Sequence, residues 1–257
     1  MSRPKLSVVI PAYNEQDLIG ATLESVVNFA GRHGLTMEIL LVDDGSTDDT
    51  VERALRVDTG PVALRCLRGE TNRGKGFAVR RGMLEAAGEC VLFTDADLST
   101  PIGEAERFLE AIEAGHPVAI GSRRLAAARI TTRQPLLRQA LGRVFSWLAR
   151  RLLNDDVSDF TCGFKAFAHD VIPALFAPLT EEGWTFDAEL LHIAQRRAIP
   201  VHEIAVQWAN RANTRVRLLR DVLASAWGLG RIVVNGWRGR YDPPAGGGDG
   251  PGRTRSR

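Results

Sequence analysis

An α/β fold around a mostly parallel central sheet follows from three observations. Short apolar runs of strand length alternate with stretches at helical spacing, the runs are apolar on both faces, and two of them end in paired aspartates. The first run, Leu6 to Ile10, passes through Pro11 into a stretch where Leu18, Thr22, Leu23, Val26, Val27 and Ala30 recur at helical spacing. The second, Glu38 to Val42, ends in Asp43-Asp44-Gly45-Ser46. The third, Val62 to Leu67, precedes a helix marked by Phe77, Val79, Met83, Leu84 and Ala87. The fourth, Cys90 to Phe93, ends in Thr94-Asp95-Ala96-Asp97, and the fifth is Val118 to Ile120. Repeated β-α-β units of this kind form a nucleotide-binding type of architecture.

After about Gly121 the rhythm changes. An Arg-studded amphipathic stretch runs from Pro135 to Leu153, and a segment containing glycine and aromatics from Asp159 to Phe167. A helix follows from Asp187 to Arg197, then a strand from Val201 to Trp208 and a second amphipathic stretch from Leu218 to Trp237. With 257 residues and 44% hydrophobic content, the chain can build one large domain with its own core. The expected organisation is one domain over residues 1–241, with halves at about 5–120 and 121–241. Residues 242–257, rich in Gly, Pro and Arg, bury too little apolar surface to fold and are expected to be a disordered tail. Cys66, Cys90 and Cys162 are scattered without metal-ligand spacing and read as buried thiols of a reducing compartment. The first apolar run is too short for a signal peptide and no 18-residue apolar run occurs, so a cytosolic protein without a membrane span is expected.

Aspartates at strand ends are placed to meet a ligand, because ligands of open α/β sheets bind in the crevice outside the carboxyl ends of the strands. Two acidic strand ends therefore point to one site. Carboxylate oxygens suit a hard divalent cation that keeps several waters and takes further ligands from substrate phosphates. The competing reading is structural, with Asp97 capping a helix near Pro101 and Asp44 one after Thr47.

The net charge of +2 hides an asymmetry: residues 1–120 carry 12 basic and 19 acidic side chains, residues 121–257 carry 21 and 12. An acidic first half suits a cation, and a basic second half suits an anionic acceptor or a membrane surface. Nucleic acid is disfavoured as a partner, since the arginines are spread through apolar helical pattern and no nucleic-acid motif occurs. In the two amphipathic stretches, Trp147, Trp227 and Trp237 lie among leucines and arginines, a composition that fits the bilayer interface as well as a core helix.

Val8-Val9-Ile10-Pro11-Ala12-Tyr13-Asn14-Glu15, Val42-Asp43-Asp44-Gly45-Ser46-Thr47-Asp48, Asn72-Arg73-Gly74-Lys75-Gly76 and Asp95-Ala96-Asp97 follow in this order along the chain. Together they resemble the successive blocks of the family 2 inverting glycosyltransferases. Gly121-Ser122-Arg123, Asp159-Phe160-Thr161-Cys162-Gly163-Phe164-Lys165 and Trp184-Thr185-Phe186-Asp187-Ala188-Glu189-Leu190-Leu191 are similar to the dolichyl-phosphate glucosyltransferase branch. The likeness spans about residues 5–240. It departs from eukaryotic members of that branch at their N-terminal membrane anchor, absent from this sequence, so membrane contact is expected to be peripheral and on the cytosolic face.

The resemblance implies a Rossmann-like, nucleotide-sugar-binding fold of the type A glycosyltransferases. It implies that Pro11, Ala12, Tyr13 and Glu15 hold the base and ribose, with Asp43 and Asp44 beside them and Asp44 accepting from a base N–H. Lys75, in a glycine turn that lets backbone approach a ligand, places a cation near phosphate. Asp95, Ala96 and Asp97 match the DxD segment, the two aspartates holding ribose and an Mg²⁺ or Mn²⁺ ion that stabilises the departing diphosphate. Asp187 falls where the wider family has a general base, with Asp97 and Arg123 completing the expected catalytic set. A phosphate acceptor is already ionised and needs cations to position it rather than a base, for which Arg123, Arg133, Arg138 and Lys165 are the candidates. The expected reaction transfers glucose from UDP-glucose to a polyprenyl phosphate with inversion. GDP-mannose as donor, a hydroxyl acceptor, and an inactive sugar-nucleotide-binding protein are the alternatives. A nucleotidyltransferase is disfavoured, because a Gly-rich, Arg-containing loop would be expected where the chain has Pro11-Ala12-Tyr13-Asn14-Glu15.

Overall fold

The computed structural model describes residues 3–132, 136–153, 157–210 and 218–243, covering backbone alone for 136–139 and 218–223. Seven strands form the main sheet: β1 (Leu6–Ala12), β2 (Met37–Asp43), β3 (Ala63–Arg68), β4 (Cys90–Thr94), β5 (Val118–Ser122), β7 (Phe164–Ala168) and β8 (Val201–Ala205). Their order is β3-β2-β1-β4-β7-β5-β8. All neighbours run parallel except β7, which pairs antiparallel with both β4 and β5. Two short strands, β6 (Arg129–Thr132) and β9 (Gln207–Ala209), make a separate parallel pair.

The helices are α1 (Ile19–His33), α2 (Thr50–Leu55), α3 (Lys75–Glu85), α4 (Ala105–Glu113), α5 (Leu136–Leu153), α6 (Ile172–Phe176), α7 (Phe186–Arg196) and α8 (Leu218–Trp237). Successive side chains of a strand point to opposite faces, so an interior strand covered on both sides has no polar face to show. In β1, Val8 and Ile10 join one core with Leu23, Val26 and Phe29 of α1 and Phe108 of α4. Val9 joins the other, with Val79 and Met83 of α3 and Phe186 and Leu190 of α7. Gly82 lets α3 lie close to the sheet, because a Cβ there would stand 2.4 Å from Val9 Cγ1. Truncating a fully buried side chain of such a core costs about 2–5 kcal/mol, through lost transfer energy and the cavity left behind.

The expected α/β architecture is present, with three differences. β3 is an edge strand and only partly buried, so Arg65 and Arg68 are tolerated among Leu64, Cys66 and Leu67. The segment over Asp159 to Phe167 supplies an interior antiparallel strand. The run from Val201 to Trp208 breaks at Val206, where the chain leaves the main sheet to pair with β6. At the far end, Asp242 is anchored by Arg196 at 2.6 Å, and residues 244–257 lie outside the described residues. No helix among the described residues is long and apolar enough to cross a membrane.

The topology decides what meets at the sheet's carboxyl edge. β1, β2, β4 and β5 end there, and the reversed direction of β7 brings its first residue, Phe164, opposite Thr94 at the same edge. The 159–163 loop that enters β7 therefore lies beside the aspartates that follow β4.

Candidate active site

The loops after β1 and β2 are joined by hydrogen bonds. Asn14 takes a left-handed conformation (φ 55°), which its short polar side chain tolerates. Its Oδ1 accepts from Thr47 N at 2.7 Å, and its own N–H donates to Ser46 Oγ at 2.8 Å. Glu15 N donates to Thr50 Oγ1 at 2.7 Å. Pro11 sits in β1 beyond the last residue paired with β4, where its missing N–H leaves no ladder bond unmade. Asp43 Oδ1 caps Ser46 N at 3.1 Å. Asp44 does not cap α2: its carboxylate accepts from the N–H groups of Arg73 and Gly74, the latter at 2.7 Å. Burial raises the Asp44 pKa, with those two N–H groups opposing.

α3 begins at Lys75, and Gly74 and Gly76 flank it because the 181–183 backbone lies directly on the turn. A Cβ on Gly74 would stand 2.5 Å from Glu182 O, and one on Gly76 2.4 Å from Glu181 O. Lys75 makes an ion pair with Asp95. Burial works against the lysine's charge, but Asp95, Asp187 and Asp97 outweigh it and raise its pKa. The indole of Trp184, half exposed, stands 5.3 Å from the same ammonium.

Asp95 touches Lys75 on one side and Gly163 on the other; a Cβ on Gly163 would collide with the Asp95 carboxylate. Asp97 turns the chain, accepting from Ser99 N and Ser99 Oγ at 2.8 Å each. Leu98 between them has φ 45°, an unfavourable backbone of the kind held only where neighbours enforce it. Both aspartates are partly exposed and offer only oxygen, the donor type hard divalent cations take. No group of three or more His, Cys, Asp or Glu among the described residues could enclose a metal.

Asp187 lies in the first turn of α7 and is buried, as is Lys165 of β7. They pair at 2.5 Å through Asp187 Oδ1. Burial raises the Asp187 pKa, while Lys165 and Lys75 hold it down. Lys165 was expected to face an acceptor phosphate, but its three donors go to Asp187, Phe160 O at 3.1 Å and Cys162 O at 2.7 Å. It positions Asp187 and the 160–162 turn instead. Arg123 is the candidate cation for positioning an acceptor phosphate. It forms a bidentate pair with Asp159, Nε to Oδ2 at 2.7 Å and Nη2 to Oδ1 at 2.8 Å, and donates to Thr161 Oγ1 at 2.8 Å. Asp159 is fully buried, and Arg123 holds its carboxyl below the usual carboxylate range against the effect of burial. Nη1 of Arg123 makes no hydrogen bond among the described residues. Arg133 and the Arg138 side chain lie outside the described residues.

Asp44, Lys75, Asp95, Asp97, Asp187 and Arg123 thus line one carboxyl edge, from the ends of three parallel strands and the starts of two helices. Residues 7–176 match the family described as Glycosyl transferase family 2. The chain belongs to glycosyl transferase family 2. It is 38% identical over 218 residues to the dolichyl-phosphate beta-glucosyltransferase of Drosophila melanogaster, covering 79% of this chain and 67% of that one. To the protein of the same name from Saccharomyces cerevisiae it is 34% identical over 239 residues, covering 86% and 72%. The fold is that of the solved glucosyl-3-phosphoglycerate synthase of Mycobacterium tuberculosis, with a TM-score of 0.65 at 22% identity over 95% of this chain and 82% of that one. This family 2 chain is a glycosyltransferase. Three residues of its site carried no assigned role in the sequence: Asp159 and Gly163, whose partners are set only by folding, and Trp184, whose exposure no local pattern announces.

Proposed function

We propose that the protein transfers glucose from UDP-glucose to a polyprenyl phosphate, with inversion, at the cytosolic face of a membrane. The observation carrying this reading is the junction at Asp95, where the DxD turn, the Lys75 turn and the acceptor-side loop meet. Glucose and the lipid phosphate are supported by the names of the curated relatives. UDP-glucose is supported by the mycobacterial neighbour, whose solved complex contains UDP-glucose and Mn²⁺. GDP-mannose is the second donor to test. The three cysteines are free, as in a reducing compartment.

The donor lies along the carboxyl edge, its base and ribose against Pro11, Ala12, Tyr13, Glu15, Asp43 and Asp44. Its diphosphate meets Lys75 and the Gly74–Gly76 turn. Asp95 and Asp97 are the residues that would hold Mg²⁺ or Mn²⁺, which when bound supplies positive charge to the leaving diphosphate. A phosphate monoester oxygen of the acceptor attacks the anomeric carbon from the opposite face. The bond from that carbon to the β-phosphate oxygen breaks, and the electron pair leaves with the nucleoside diphosphate. No proton need be removed from such an acceptor, so Asp187, held by Lys165, orients rather than deprotonates. Arg123, its charge matched by Asp159 and its plane fixed by the bidentate pair, aligns the attacking phosphate.

α5 and α8 pack together, and their outward surfaces carry Trp147 at 60% exposure, Trp227 at 72% and Trp237 at 83%, with Arg143, Arg150, Arg151 and Arg238 exposed beside them. Such a surface fits an anionic bilayer interface. The experiment is to incubate the protein with labelled UDP-glucose or GDP-mannose, Mg²⁺ and polyprenyl phosphate. Glucose label should enter the organic phase. Absence of lipid product with either donor overturns the lipid acceptor.

A further inference from the structure

Residues 180–185, between α6 and α7, roof the Gly74–Gly76 turn, and they are held from behind by α8. Glu182 O accepts from Phe77 N at 3.1 Å, and the Glu182 carboxylate pairs with Arg73. Glu181 turns the other way: its buried carboxylate accepts from Arg231 of α8, Nε at 2.8 Å and Nη2 at 2.7 Å. One turn earlier on the same helix, Gly228 closes against the same segment. A Cβ there would stand 2.6 Å from Thr185 Oγ1 and 3.0 Å from Glu181 Oε2. Glu189 fastens the base of the segment, accepting from Thr180 N, Thr180 Oγ1 and Glu181 N at 2.6–2.9 Å, and Tyr241 OH donates to it at 2.6 Å.

We infer that Arg231 and Gly228 of α8 are positioning residues for the nucleotide-sugar: through Glu181 they press the 181–183 backbone onto the Gly74–Gly76 turn and set where Lys75 stands. The inference rests on the reading of that turn as the diphosphate site. A strap of this kind acts on donor binding and leaves the bond-breaking residues alone. Loss of Arg231 frees a carboxylate that burial already disfavours, so Glu181 withdraws toward solvent and the roof loosens. Glu189 keeps the segment folded meanwhile, since its four acceptor contacts do not involve Arg231.

The test is titration calorimetry with UDP and UDP-glucose in Mn²⁺, alongside steady-state kinetics, on Arg231→Met, Arg231→Lys, Gly228→Ala and the unsubstituted protein. Arg231→Met and Gly228→Ala should each weaken UDP binding and raise the donor KM about tenfold, equivalent to about 1.4 kcal/mol, with kcat within about threefold. Arg231→Lys should recover most of the loss by keeping one charged contact. A donor KM unchanged in Gly228→Ala and in a folded Arg231→Met overturns the strap, as does an equal fall of kcat and kcat/KM with UDP affinity intact. Failure of the unsubstituted protein to bind UDP or UDP-glucose overturns the donor-site reading instead.

Discussion

Asp95 receives its neighbours from both halves of the chain: Lys75 from the acidic half, Gly163 from the basic half. A carboxylate so placed is constrained on two sides before any ligand arrives, which limits how far it reorganises on binding. Asp97 is differently held: among the described residues its hydrogen bonds go to Ser99 of its own turn. Asp97→Ala should therefore abolish turnover without unfolding the protein. Label incorporation and circular dichroism on one preparation check both halves of that statement, and activity near the unsubstituted level, or retained in excess EDTA, rules out a role in metal binding. Asp187→Asn tests the acceptor class. With a phosphate acceptor kcat should fall modestly, about tenfold or less, whereas base catalysis predicts a loss of 10²–10⁴. Because the change strips the buried Lys165 of its counter-charge, the double variant with Lys165→Gln separates lost stability from lost chemistry. For Asp159 the prediction is in pH. Its folded pKa is depressed, so the Arg123 pair contributes stability above the unfolded value of about 3.9 and loses it as pH falls through the folded value. Asp159→Asn should cost about 3–5 kcal/mol between pH 5 and 7, and urea titrations should show that gap narrowing below about pH 4.

Among the elements, α1, α3 and the interior strands β1, β2 and β4 were legible because each buries a complete face or both faces, so the apolar period survives in sequence. β7 was not legible as a sheet strand. Phe164-Lys165-Ala166-Phe167 looks like a break in the pattern, yet its lysine is fully buried and saturated by Asp187 and two carbonyls. Only the fold supplies those partners, and a lone sequence cannot show that a charge will be matched. The same holds for Arg123: its block was visible, its partner Asp159 thirty-six residues on was not. α2 and α6 are short and rest on tertiary packing rather than on periodicity. The 159–163 loop gives a prediction at this scale. Gly163→Ala introduces no backbone strain, but its methyl group would occupy the place of the Asp95 carboxylate. Turnover should drop about 10–100-fold with Tm changed by only a few degrees, and a full-activity Gly163→Ala variant would show that Asp95 has room to move.

On the scale of the whole molecule, the charge asymmetry read from sequence becomes spatial. The strand ends gather carboxylates at the sheet's carboxyl edge, while arginines and exposed tryptophans gather on α5 and α8. Ser146 and Ala149 face inward from α5 while Trp147 and Val144 face outward, so this helix exposes apolar surface that a core helix would bury. Indole rings at an interface contribute through apolar burial and arginines through attraction to anionic headgroups, each about 1 kcal/mol per basic residue near the surface. Co-sedimentation should therefore show the protein bound to vesicles containing anionic lipid, with less bound at higher salt because the attraction is screened. Replacing Trp147, Trp227 and Trp237 together by Ser should release it even at low salt, leaving UDP-glucose binding in solution intact. Binding that is equal on neutral and anionic vesicles and indifferent to the three substitutions would place the membrane contact on another face.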